Sequence, residues 1–282
     1  MNVFKTTILL TALTLILVLA GEYFGGINGA LIAFAVAAAM NFFSYFYSDK
    51  LALSMYRAQP VTREQLPRIY EIVERLTGRA GIPMPKIYVI PTESPNAFAT
   101  GRNPSHASVA VTHGILSLLS DEELEGVLAH ELAHVRNRDI LTSSIAATLA
   151  GAITLLARMA FWFGGGGRRR NDGGIGAILM LLLAPFAAML IQLWVSRTRE
   201  YEADASGAHM TGNPYALASA LEKISAVSRQ LPLQASPSSA HMFIVQPLLS
   251  GETFASLFST HPPMQKRIER LIGRPSVHGS LN

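Results

Sequence analysis

His130-Glu131-Leu132-Ala133-His134 sets two imidazoles four residues apart, with a carboxylate beside the first. On a helix, positions i and i+4 project from one face a turn apart, so both imidazoles reach a single tetrahedral metal ion. Glu131 lies about 100° round the helix, outside the ligand set and within reach of a water that the metal activates. This pattern is that of a zinc peptidase with Glu131 as general base. The bland alternative is an amphipathic helix with two incidental histidines. Local sequence supports a helix: Ser120-Asp121-Glu122-Glu123 reads as a capping box with acidic residues in the first turn. Leu124, Val127, Leu128 and Leu132 then form an apolar stripe at helical spacing.

Catalytic zinc takes three protein ligands and keeps one position open. A third histidine on the same segment would need Gly at 137 and His at 140, where this chain has Asn137 and Ile140. With no cysteine in the chain, thiolate ligands are excluded and a carboxylate is expected. Glu200-x-x-x-Asp204 places two acids on one helix face; Glu200 is the candidate ligand and Asp204 a hydrogen-bond acceptor for a ligating imidazole. From spacing alone, a solvated acidic face is an equal alternative. Glu202 points elsewhere. His261 precedes Pro262-Pro263, where a loop histidine is more often incidental. His106, His113, His209, His241 and His278 have no recommending spacing and read as structural or exposed. Asn96-Ala97-Phe98-Ala99 reads equally as an edge strand that pairs with extended substrate or as a plain internal strand.

These groups need elements to hold them. Extended segments are expected at 86–90, 96–100 and 107–112, and a helix over about 64–78 closed by Gly78. Strands followed by the motif helix make an α+β, zincin-like catalytic domain over 48–139, continuing from 196 to 282. After Arg197 the sequence reads as helical to about Val227, and an amphipathic helix follows His261-Pro262-Pro263. Residues 228–260 are less legible.

Around this domain the chain is apolar: half of its 282 residues are hydrophobic, 15% are charged, and mean hydropathy is +0.30. That points to a mainly α-helical membrane protein. Four transmembrane or re-entrant helices are expected: a hairpin over 1–47, with spans at about 3–20 and 27–47 turning at Gly21–Gly26, and a second over 140–195, with spans at about 140–163 and 175–195. A cleavable leader is the competing reading of 3–20, and a buried core hairpin that of 140–195. The net charge of +4 suits anionic lipid, and no basic run with interleaved aromatics argues for nucleic acid. Lys50, Arg57, Arg136, Arg138, Arg197 and Arg199 flank the membrane on one side, which places the catalytic domain in the cytosol, although Arg168–Arg170 then oppose the positive-inside rule. His134 lies six residues before the third expected span and Glu200 five after the fourth, so the metal should sit about 10 Å from the bilayer. Membrane proteins and unfolded segments leaving the bilayer are the expected substrates; oligomeric state is not legible.

H-E-L-A-H, S-R-T-R-E-Y-E-A-D, S-T-H-P-P-M-Q-K-R-I and S-P-N-A-F-A-T-G, in this arrangement, resemble the HtpX family of membrane-bound zinc metalloproteases. The wider group includes Ste24-type CAAX prenyl proteases. The resemblance implies one Zn2+ per chain held by His130, His134 and Glu200, with Glu131 as general base and Asp204 in support. It raises His261 to a candidate catalytic group, donating to the oxyanion or to a ligand carboxylate, with Arg267 near the site. It further implies a bacterial inner-membrane enzyme whose catalytic domain faces the cytosol and which degrades damaged or misfolded membrane proteins. Two other classes remain. A structural zinc or metal-transport protein gives Glu131 no task. A zinc hydrolase of non-peptide amides is disfavoured chiefly by the resemblance.

Overall fold

The computed structural model describes residues 2–141, 197–230 and 262–273. Most of the expected second hairpin, 140–195, lies outside these residues, as do His261 and 231–260. Helix α1 (Asn2–Met55) is two helical arms meeting at Gly26, whose φ of 57° is the left-handed region open to glycine. Gly21–Gly25 are helical rather than part of a longer turn, because the chain reverses at Gly26 alone. The arms pack so closely that a side chain on Gly21 would collide with the Gly29 carbonyl. Farther out, the Asn41 amide donates to Thr14 Oγ1 at 2.9 Å. Among the described residues one helix, Gly25–Tyr47, is long and apolar enough to cross a membrane, with a mean hydropathy of 1.7 and 12% of it buried. Its helix continues without a break to Met55.

The sheet has four strands in the order β1 (Gln59–Pro60), β2 (Lys86–Ile90), β4 (Ala107–Thr112) and β3 (Ala97–Gly101). β2 and β4 are parallel, and β3 runs antiparallel to β4 at the edge. The end of α1 covers one face, where Ala52 and Leu53 pack with Ile90, Phe98 and Ala110, and Tyr56 meets Phe98 edge-on at 5.9 Å. The opposite face carries α2 (Pro67–Ala80) and α4 (Asp121–Arg136) through Ile69, Leu76, Val109, Leu124, Leu128 and Leu132. α2 begins later than its apolar pattern suggests because Pro67 favours the first helical position, and it ends at Gly81, whose φ of 66° supplies the left-handed cap that Gly78 does not.

α3 (His113–Leu118) follows β4, capped by Thr112, whose hydroxyl accepts from Ile115 N–H at 3.1 Å. The run expected as one helix to Val227 is two, α5 (Arg197–Thr211) and α6 (Pro214–Gln230). Gly212 turns with positive φ and Asn213 caps α6 through Ala216 N–H. α7 (Met264–Ile272) packs on α5 and α6.

Candidate metal centre

α4 is the spine of the site. The capping box at its start is complete: Ser120 Oγ accepts from Glu123 N–H, and Glu123 Oε2 accepts from Ser120 N–H. The Glu123 carboxylate also accepts from Ser219 (2.6 Å) and Lys223 (2.8 Å) of α6, which fixes the helix against its neighbour. Burial works against the ionised form of Glu123, but these donors hold its pKa below the ordinary value. α5 crosses α4 where Gly207 lies against His130. A Cβ on Gly207 would sit 2.9 Å from the His130 backbone nitrogen, so only glycine allows this approach.

That crossing brings Glu200 and Asp204 to the motif. His130 Nε2 lies 3.8 Å from Glu200 Oε2, and His134 Nε2 lies 3.5 Å from Glu200 Oε1. One donor atom from each of the three residues falls within 4.8 Å of the others. Two ligands bound about 2.05 Å from a tetrahedral ion are separated by about 3.4 Å, so this spacing fits zinc. Glu200 is buried, and the acidic pair is not a solvated face. Glu202 points away from the pair and is exposed.

Each imidazole has its own carboxylate. His130 Nδ1 is 2.9 Å from Asp204 Oδ1, and His134 Nδ1 is 3.2 Å from Asp139 Oδ2. A carboxylate only accepts, so Nδ1–H donates in both rings, and in the neutral, metal-binding form each Nε2 offers its lone pair on the side of Glu200. Arg267, fully buried on α7, donates to Asp204 from Nε (2.9 Å) and Nη2 (2.7 Å), while its Nη1 lies 3.8 Å from Glu200 Oε2. Burial disfavours an ionised Asp204, yet the guanidinium holds its carboxyl well below the usual range. Glu131 is buried beside the imidazoles, and Oε2 accepts from Ala99 N–H of β3 at 2.9 Å. Burial pushes its carboxyl upward against the pull of His130 and His134. His134 is raised to about 9: burial opposes the charge, but the bond to Asp139 and the negative charges of Glu200 and Glu131 outweigh it.

The charges of the metal-binding form also fit a metal. Buried carboxylates at Glu131, Asp139, Glu200 and Asp204 face Arg267 and the largely covered Arg199. With both imidazoles neutral and all four carboxylates ionised, the form that ligation and a general base require, the cluster is two negative charges in excess, which a divalent cation balances. The donor set of two histidines and a glutamate is one used for catalytic zinc.

Of the candidate residues, His130, Glu131, His134, Glu200, Asp204 and Arg267 converge, with Ala99 alongside; His261 lies outside the described residues. His106, His113 and His209 are exposed; His241 and His278 are outside the described residues. Sequence reasoning missed Asp139, and read Arg199 only as a membrane-flanking charge. Asp139 is five residues beyond His134, past the end of α4, and reaches it only because the chain turns back at Arg138.

The sequence profile of peptidase family M48 matches residues 63–274. A protein described as "Protease HtpX homolog" from Desulfatibacillum aliphaticivorans is 56% identical over 286 residues, covering 99% of this chain and 92% of that one. One of the same description from Thermococcus sibiricus is 54% identical, covering 95% and 94%. The crystal structure of S. mikatae Ste24p shares the fold at a TM-score of 0.55 and 21% identity; the match covers 96% of this chain and 65% of that longer one. By these matches and the metal-ready cluster, the chain belongs to peptidase family M48, among its HtpX-type metalloproteases.

Proposed function

We propose that this metalloprotease is a membrane-anchored zinc endopeptidase, with His130, His134 and Glu200 holding one Zn2+ per chain. One observation carries the reading: three buried or half-buried donors converge, and each imidazole has its second nitrogen committed to a carboxylate. Bound zinc supplies a Lewis acid that polarises the scissile carbonyl and lowers the pKa of water from about 15.7 toward 7. Glu131 is the general base, anchored at Oε2 by Ala99 N–H. Its Oε1 takes the proton of the attacking water and delivers it to the leaving amine nitrogen. Asp204 holds the His130 ring in the tautomer that offers Nε2, and Arg267 fixes Asp204. His261 is assigned the oxyanion or a ligand carboxylate on the strength of the family motif alone.

Extended substrate pairs with the outer side of β3, the last strand of the sheet, whose residues are buried. Ala99 N–H points away from β4, and antiparallel alternation sends the Ala97 and Ala99 carbonyls the same way. The anchor is α1: Leu31, Ile32 and Phe34 are exposed on its span, which ends in the exposed aromatics Phe42, Phe43 and Tyr47, with Lys50 over the Tyr47 ring. These residues support a membrane anchor; the multi-pass inner-membrane placement, the cytosolic catalytic domain and the misfolded or damaged membrane proteins as substrates rest on the family resemblance.

The test compares wild type with Glu131→Gln on an unfolded membrane protein in detergent, each assayed for zinc. Zinc near one per chain in both, with cleavage reduced on the order of 10^4-fold or more in the variant, is the expected outcome. Comparable turnover in Glu131→Gln would remove the assignment of the base. Efficient cleavage of soluble unfolded protein alongside indifference to membrane proteins would overturn the substrate class.

A further inference from the structure

We propose that Asp139 is a positioning residue for His134, and that Arg199 holds it there, so the metal centre is laced to both roots of the 140–198 insertion. The proposal rests on the zinc reading above. α4 ends at Arg136, and Asn137 and Arg138 turn the chain back toward the helix. Arg138 has φ of 58°, a left-handed conformation that costs a non-glycine residue about 1 kcal/mol or more and is kept only where surroundings demand it. Its effect is to set Asp139, 5% exposed, under the His134 ring with Oδ2 3.2 Å from Nδ1. The second oxygen, Oδ1, lies 3.6 Å from Arg199 Nη1, and Arg199 directly precedes Glu200.

The site therefore contains two imidazole–carboxylate–guanidinium series. His130–Asp204–Arg267 ties α4 to α5 and α7. His134–Asp139–Arg199 joins the last residue before the insertion to the first ones after it. A carboxylate accepting Nδ1–H keeps the ring in the tautomer that presents Nε2, fixes its plane and makes it a more basic ligand. A perturbation that separates the two roots would release Asp139 and turn His134 away from Glu200.

Full-length protein in detergent is loaded with Zn2+ against a chromophoric chelator, and separately with Co2+ for its visible spectrum. Asp139→Ala should weaken zinc about 10- to 100-fold. Asp139→Asn, whose amide oxygen still accepts from Nδ1–H, should recover most of that loss while changing the Co2+ spectrum. Arg199→Met should weaken zinc by less than Asp139→Ala. The double variant Asp139→Ala/Arg199→Met should lose no more than Asp139→Ala, because Arg199 acts through Asp139. His134→Ala is the control for the metal reading. If it binds zinc as wild type does, that reading fails and this one with it. If it loses zinc while Asp139→Ala stays within about twofold of wild type, only the positioning role is overturned. Loss of the metal-free fold in the isosteric Asp139→Asn would make Asp139 a structural residue and also overturn the proposal.

Discussion

Arg267 is a fully buried cation whose counterion, Asp204, is itself nearly inaccessible. Removing one member of such a pair strands the other charge, so Arg267→Ala should cost about 3–5 kcal/mol in denaturant unfolding; a change under about 1 kcal/mol would mean that the pair is not desolvated. His134 yields a pH prediction. Its folded pKa of about 9 exceeds the ordinary 6.5, so the metal-free fold favours the protonated ring. That contribution is complete below pH 6.5 and is lost as pH rises through about 9. With chelator present, the unfolding midpoint should fall across this window in wild type, and the fall should be smaller in His134→Gln. Zinc affinity should run the other way, rising with pH as the competing proton leaves. At this scale the sequence was legible where spacing is local, at His130, Glu131, His134 and Ser120-Glu123. Glu200 and Asp204 were legible only as a pair on a helix face, since nothing in i,i+4 spacing says what that face meets. Asp139 escaped because its role depends on a left-handed residue at 138 that is not glycine.

The crossing of α4 and α5 turns these residues into a site, and its tightness depends on Gly207. Gly207→Ala would gain helix propensity in isolation, yet the added methyl meets the His130 backbone at 2.9 Å. Separation of the helices should destabilise the protein by about 1–3 kcal/mol and weaken zinc binding together. Zinc affinity unchanged in a stably folded Gly207→Ala protein would argue that the crossing can relax without disturbing Glu200. The strand at 86–90 was legible because Pro83, Pro85 and Pro91 bracket it, and that at 107–112 as a short extended run rich in Val and Thr. The break between α5 and α6 was not, since Gly212-Asn213 is a turn of two residues between two stretches of helix-forming sequence. β1 was missed because two residues, one of them proline, carry no periodic signal; Pro60 is tolerated at a sheet edge.

For the whole molecule, the membrane reading and the catalytic reading meet in α1, which runs as one helix from Gly26 through the apolar Gly25–Tyr47 segment to Met55, on the sheet face beneath Phe98. Eight residues separate Tyr47 from Met55, a rise of about 12 Å. An unbroken helix cannot shorten, so it works as a ruler between the bilayer and the sheet. An extended chain advances about 3.3 Å per residue, so a substrate emerging from the bilayer needs about four residues to reach β3. Cleavage of a single-span substrate should therefore begin only beyond that tether length, and mapped products should start no nearer the membrane. Inserting four residues between Asp49 and Leu53 should move the first cut outward by about two substrate residues, one helical turn measured in strand units. Cleavage that ignores both tether and insertion would mean that the domain tilts freely on its stalk. Otherwise, if membrane proteins are the substrates as proposed, the first accessible bond is chosen by distance before any side chain is read, and a membrane protein is spared when its loops are too short.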